Sequence, residues 1–114
     1  MIGGELSDKV IALETENALG KVIRSHRKSR EKVFILFLSK WDNSCVDLVN
    51  NILGKYSRRP KVYLVDSWTC AKAFVTYKSY FGIITETPTL VILSPGAPRV
   101  EDYLPNIYRM LEVG

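Results

Sequence analysis

Three short runs constrain this chain more than anything else in it: Val33-Phe34-Ile35-Leu36-Phe37-Leu38, Val62-Tyr63-Leu64-Val65 and Leu90-Val91-Ile92-Leu93. Each is rich in β-branched or aromatic residues and almost free of polar ones, the pattern of a strand covered on both faces. None approaches the roughly 20 apolar residues that a membrane-crossing helix needs. A strand buried on both sides requires helices above and below it, so the segments between the runs have to supply them.

Those segments have the required spacing. Thr15 is placed as a helix N-cap, and Leu19, Val22 and Ile23 follow at i, i+3 and i+4, the stripe of an amphipathic helix. That helix is expected to fade in the charged stretch from Ser25 to Arg30. Val46, Leu48, Val49, Ile52 and Leu53 repeat the helical spacing after an N-cap at Asp42, with Gly54 as the stop. Residues 67–81 read as a helical connection ended by Gly82, with Trp68, Ala71, Phe74 and Val75 at mixed spacing. Val10-Ile11-Ala12-Leu13 is a further strand ahead of the first helix. Ser94-Pro95-Gly96-Ala97-Pro98 is a turn cluster leading to a short strand around Arg99 to Tyr103. A last helix runs over 105–112, with Pro105 in its first turn. The alternation predicts an α/β domain over residues 1–114, with a parallel sheet and crossover helices on its faces. The turn at 94–98 makes the last two strands antiparallel.

With 46% apolar and 25% charged residues, the 114-residue chain has the composition of one globular domain. Its beginning, Met1-Ile2-Gly3-Gly4-Glu5, lacks the charged-then-apolar order of a secretory leader. The two cysteines, Cys45 and Cys70, are too few for a disulfide framework and point to a reducing compartment, cytoplasm or nucleus. No phosphate-binding loop, dinucleotide fingerprint or zinc-finger spacing occurs, and His26 is the only histidine. Neither a cofactor nor a histidine-based metal site is expected.

Charge is unevenly distributed. The formal balance is +4, and Lys21, Arg24, Arg27, Lys28, Arg30 and Lys32 share their stretch with Glu31 alone. Lys55, Arg58, Arg59 and Lys61 form a second group with no acid. The first group precedes the run Val33–Leu38 and the second precedes Val62–Val65. If those strands are parallel, both groups share one end of the sheet. Such an end suits RNA or an acidic protein surface, and equally serves as a solvated face that keeps the chain soluble.

Trp41-Asp42-Asn43-Ser44-Cys45 follows the first buried run, and Thr87-Pro88-Thr89 precedes the last. With the element order, these residues give a chain that resembles the thioredoxin superfamily over nearly its whole length, starting at Ser7-Asp8-Lys9-Val10-Ile11. The resemblance implies a thioredoxin-like fold, a central mixed sheet of four to five strands flanked by helices. It implies that Pro88 is a cis-proline facing the motif loop, and that Thr87 presents its backbone to an extended peptide. It also makes the departures legible. Asp42 stands where the family's Trp-Cys-x-x-Cys motif has its attacking cysteine, and Leu36 stands where thioredoxins carry a buried acid. The connection from Asp66 to Pro88 is several residues longer than in thioredoxin, and the C-terminal part shorter. A narrower similarity, confined to the motif and to Tyr63-Leu64-Val65-Asp66, links the chain to the Dim-type thioredoxin-fold proteins of the spliceosome, which carry Trp-Asp-Pro-Thr-Cys. The long C-terminal extension of that subfamily has no counterpart here.

Thiol–disulfide exchange needs a thiolate nucleophile, and a carboxylate does not perform it. The expectation is therefore a fold without dithiol catalysis, serving protein–protein interaction through Trp41, Asp42, Thr87 and Pro88, in a ribonucleoprotein setting if the basic end binds RNA. Cys45 is then a small buried residue. The alternative keeps redox chemistry, with Cys45 as a monothiol near a helix start or paired with Cys70 in a disulfide, since Cys70 lies at the same end of the sheet.

Overall fold

The computed structural model describes Gly4, Glu5 and residues 7–114. In chain order the elements are β1 (Gly4–Glu5), β2 (Val10–Leu13), α1 (Glu16–Ser29), β3 (Val33–Leu38), α2 (Asn43–Lys55), β4 (Val62–Asp66), α3 (Ala73–Thr76), α4 (Lys78–Phe81), β5 (Thr89–Leu93), β6 (Arg99–Glu101) and α5 (Leu104–Leu111). The reading of the first five residues as leaderless rests mainly on Met1 to Gly3, outside the described residues.

The six strands form one mixed sheet in the order β1-β2-β4-β3-β5-β6. Strand β4 runs parallel to both β2 and β3, while β5 is antiparallel to β3 and to β6. The sheet is the expected mixed one, with two-residue β1 added antiparallel at its edge. Side chains alternate across it with the period of two that strands impose. Phe34, Leu36 and Leu38 of β3, Val62 and Leu64 of β4, and Leu90 and Ile92 of β5 face a layer containing Cys45, Leu48, Ile52, Ile107 and Leu111 from α2 and α5. Ile35, Phe37, Val65, Val91 and Leu93 face the opposite layer, which holds Leu19 and Ile23 of α1 together with Cys70, Ala73, Phe81 and Ile84. The three apolar runs are uninterrupted because both of their faces are covered.

Helix α1 does not fade at Ser25. Its buried stripe continues from Leu19 and Ile23 to His26, whose Nδ1 lies 2.6 Å from the Glu31 carbonyl, and Arg30 closes the end in the left-handed region at φ 61°. The Arg30 amide donates to the His26 carbonyl at 2.7 Å, and basic residues in the last turn suit the negative end of the helix dipole. Helix α1 also packs closely: a Cβ at Gly20 would meet the Tyr77 hydroxyl at 2.9 Å and the Arg24 guanidinium at 3.2 Å. Helix α2 runs one residue past Gly54 because Tyr56 supplies the stop, its amide donating to the Ile52 carbonyl at 2.9 Å and its ring meeting Phe34 edge-on at 6.4 Å.

The connection from 67 to 88 departs most from expectation. In place of one helix it is a series of turns around the two single-turn helices α3 and α4, ended by Gly82 at φ 85°. Aromatic packing holds it down, with Phe37 edge-on to Phe74 at 5.1 Å and tilted against Phe81 at 5.8 Å. Strand β6 stops at Glu101, whose carboxylate accepts from the Tyr103 amide at 3.1 Å, and α5 spans Leu104–Leu111 where 105–112 was expected. Among the described residues no helix is long and apolar enough to cross a membrane.

Candidate functional site

Strands β3 and β4 are parallel, so their C-terminal ends open at the same edge of the sheet, and the loops Ser39–Asp42 and Ser67–Lys72 meet there. The first loop is a turn closed by the Asp42 amide donating to the Ser39 carbonyl at 3.0 Å. Asp42 has the extended backbone of an N-cap, and its Oδ1 accepts from the Ser44 amide at 2.9 Å. Its own carbonyl accepts from the amides of Cys45 and Val46, starting α2. The Asp42 carboxylate is thus engaged in holding a helix end.

Cys45 follows one turn into α2 and is 1% exposed. The Ser39 amide donates to its sulfur at 3.5 Å. Burial pushes the Cys45 thiol above its ordinary pKa, and the Asp42 carboxylate adds to that; the Ser39 amide and the Thr87 side chain pull it back. The same side chains border a shallow groove of about 270 Å³ lined by Ser39, Lys40, Cys45, Val46, Val49 and Asn50.

Asp66 anchors the site from below. It is buried at the end of β4, and its Oδ1 accepts from the Lys40 amide at 3.0 Å while the Ser67 amide donates to the Leu38 carbonyl at 2.8 Å. These two bonds stitch the loops together. Above them Trp41 and Trp68 are 73% and 67% exposed, meet edge-to-face at 6.1 Å, and share one cation: Lys40 Nζ lies 4.9 Å and 4.6 Å from their ring centroids. The Thr87–Pro88 peptide bond is cis. Thr87 is half-buried beside Cys45, whereas Pro88 is buried, so Pro88 supports the loop and Thr87 presents its surface. The Thr89 hydroxyl donates to the Glu86 carbonyl at 2.6 Å, fixing the turn that precedes β5.

Cys70 corrects the paired-cysteine reading. Both sulfurs lie toward the same end of the sheet, but the sheet runs between them: Cys45 packs in the α2/α5 layer and Cys70 in the α1 layer. Both are free and buried. The Cys70 thiol donates to the Leu13 carbonyl at 3.6 Å and, like Cys45, is pushed up by burial. A Cys45–Cys70 disulfide would have to pass through packed strands. Among the described residues no cluster of three His, Cys, Asp or Glu side chains is arranged to hold a metal.

The basic groups lie at the opposite end, and the structure divides them. Arg58 is a structural residue: its Nε pairs with Glu112 at 2.8 Å, its guanidinium donates to the Met110 carbonyl, and its charge lies 5.4 Å from the Phe34 ring centroid. Arg24 lies along Gly20 beside Tyr77. Lys28 and Lys55 are exposed on their helices. Arg27, Arg30, Lys32, Arg59 and Lys61 instead border clefts around His26.

Comparison with solved structures gives the arrangement its class. Thioredoxin O2 of Arabidopsis thaliana superposes with a TM-score of 0.69 at 17% identity, covering 91% of this chain and 92% of that one. Fasciola hepatica thioredoxin matches with a TM-score of 0.67 at 18% identity over 89% and 95%. Schistosoma mansoni thioredoxin matches at 0.62 and 20% identity over 91% and 94%. The chain has a thioredoxin-like fold. No protein-family model and no curated protein matches its sequence. The loop that carries Trp41 and the cis Thr87–Pro88 turn both border Cys45's end of this fold, and Asp42 and Leu36 stand where the resemblance leads one to expect a thiol and an acid. Lys40, Asp66 and Trp68 belong to the site and were not singled out from the sequence. Asp66 had one visible signal, a lone carboxylate ending an otherwise apolar strand. Trp68 had a weaker one, a large aromatic side chain off the helical stripe.

Proposed function

We propose that this thioredoxin-fold protein is a docking module, not a dithiol oxidoreductase, and that it takes an extended segment of a partner protein across Trp41, Trp68 and Thr87. The observation that carries the reading is the engagement of Asp42 as a helix cap beside a cysteine that is 1% exposed. No second thiol lies on that side of the sheet among the described residues, so a mixed disulfide at Cys45 would have no resolving partner. Two solvated tryptophans held by a shared lysine offer large, rigid contact area, the kind of side chain that dominates binding energy at interfaces. A protein partner at this end and phosphate at the other would suit a ribonucleoprotein component in the cytoplasm or nucleus.

A monothiol reading draws on one observation, the groove that reaches Cys45, and on the thioredoxin identity of the matched structures. The two readings separate cleanly in binding experiments. Trp41 and Trp68 are the only tryptophans in the chain, so intrinsic fluorescence reports on the proposed face directly. Peptides selected from a library for binding are expected to change that emission, and Trp41→Ala and Trp68→Ala are each expected to weaken them about tenfold or more. Cys45→Ser is expected to leave affinity unchanged. Selected peptides that bind without altering the emission, or that require the Cys45 thiol, would contradict the docking reading.

A further inference from the structure

Two clefts at the basic end share a wall at His26. One, of about 230 Å³, is bounded by His26, Lys32, Arg59, Lys61 and Tyr63. Its neighbour, of about 350 Å³, is bounded by His26, Arg27, Arg30, Tyr80 and Ser94. His26 is the ridge between them, and it is held rigidly by its 2.6 Å contact with the Glu31 carbonyl. The topology creates this juxtaposition. The end of α1, the start of β3 and the start of β4 meet at one edge, and antiparallel β5 delivers Ser94 to the same edge through the pairing of Val33 with Leu93.

Five cations border this depression and a single carboxylate, Glu31, opposes them. None of the five is in an ion pair among the described residues, where the one salt bridge belongs to Arg58. The Arg27 guanidinium carbon lies over the Tyr80 ring, 4.8 Å from its centroid. Two polar clefts, each with a tyrosine in its wall and cations around it, are matched to a ligand that alternates phosphate with flat aromatic groups. An acidic peptide would satisfy the cations and leave the tyrosine and arginine planes unused. A duplex would offer phosphates and keep its bases stacked out of reach. We infer that this end of the molecule binds single-stranded nucleic acid, its phosphates along Arg27, Arg30, Lys32, Arg59 and Lys61 and its bases against Tyr63 and the Arg27–Tyr80 stack. The inference is independent of the docking face at the opposite end.

Fluorescence anisotropy with a labelled oligouridine of about 12 nucleotides tests it, long enough to span a single-strand site of the usual size. With five phosphate contacts, affinity is expected to fall about a hundredfold when salt is raised roughly fourfold. Arg59→Glu combined with Lys61→Glu is expected to weaken binding at least about tenfold, because both side chains are exposed and neither makes a fold-supporting contact. Glu31→Gln is expected to tighten it, and Tyr80→Leu to weaken it. Lys72→Glu, a single charge reversal at the other end, is expected to have little effect, and less than Lys61→Glu alone. Oligothymidine bound as well as oligouridine supports backbone and stacking recognition; a preference for oligouridine supports it with a contribution from the 2′-hydroxyl. No binding at low salt, indifference to the Arg59/Lys61 reversal, equal loss on Lys72→Glu, or equal affinity for duplex or polyglutamate would overturn the inference.

Discussion

Asp42 caps helix α2 and Cys45 is buried in its first turn, each held by ordinary helix physics. The Asp42 carboxylate lies 2.9 Å from the Ser44 amide, so Asp42→Ala is expected to cost about 0.5–2 kcal/mol of stability in urea unfolding. Asp42→Asn should retain most of it, because Asn caps nearly as well. Equal losses for the two variants would contradict the capping role. The Cys45 thiol is held up first by burial. Its folded pKa lies above the unfolded value, so the neutral thiol is the form the fold favours. That contribution is complete at neutral pH and is lost as pH rises through the folded pKa. Alkylation of the native protein followed against pH should therefore inflect above the range of a free cysteine. An inflection below it would mark an activated thiol and remove the argument from burial.

At the scale of elements, the site depends on how strand ends tie loops. Asp66 accepts from the Lys40 amide at 3.0 Å, and Asp66→Ala leaves that amide without its charged partner. A cost of about 1.5–3 kcal/mol is expected, with faster hydrogen exchange at Lys40. Unchanged exchange there would mean the loop holds itself. Tyr56 ends α2, and burial lifts its phenol from 10 to about 12. The fold favours the neutral phenol, so stability should decline as pH rises from about 10 toward 12, and Tyr56→Phe should flatten that slope. The strands were legible in the sequence because each run is short and rich in β-branched or aromatic residues, a local signal that separates it from a buried helix. Thr15 and Asp42 were legible as caps for the same reason, since local chemistry decides them. The 67–88 connection was not, because its shape follows from Phe74 and Phe81 packing on Phe37, a contact between residues far apart in the chain. Helix α1 outlasted its apolar stripe through the contact of His26 with the Glu31 carbonyl, again invisible to periodicity.

The whole molecule has two ends and two faces, and each distinction changes the reading of its residues. The faces separate Cys45 from Cys70, which nearness to one sheet end alone would have paired. The ends separate the Trp41/Trp68 surface from the basic clefts, and folding removes Arg58 from the cations free to meet a partner. Which charges are structural and which face solvent could not be read from a basic stretch, since the distinction depends on the position of α5. The proposed function pairs a thioredoxin-like fold with the absence of dithiol chemistry. Turnover in the reduction of insulin by dithiothreitol measures it most directly, with the intact protein compared against Cys45→Ser. The account predicts that both proteins give the uncatalysed rate; catalysis by the intact protein that disappears in Cys45→Ser would contradict it.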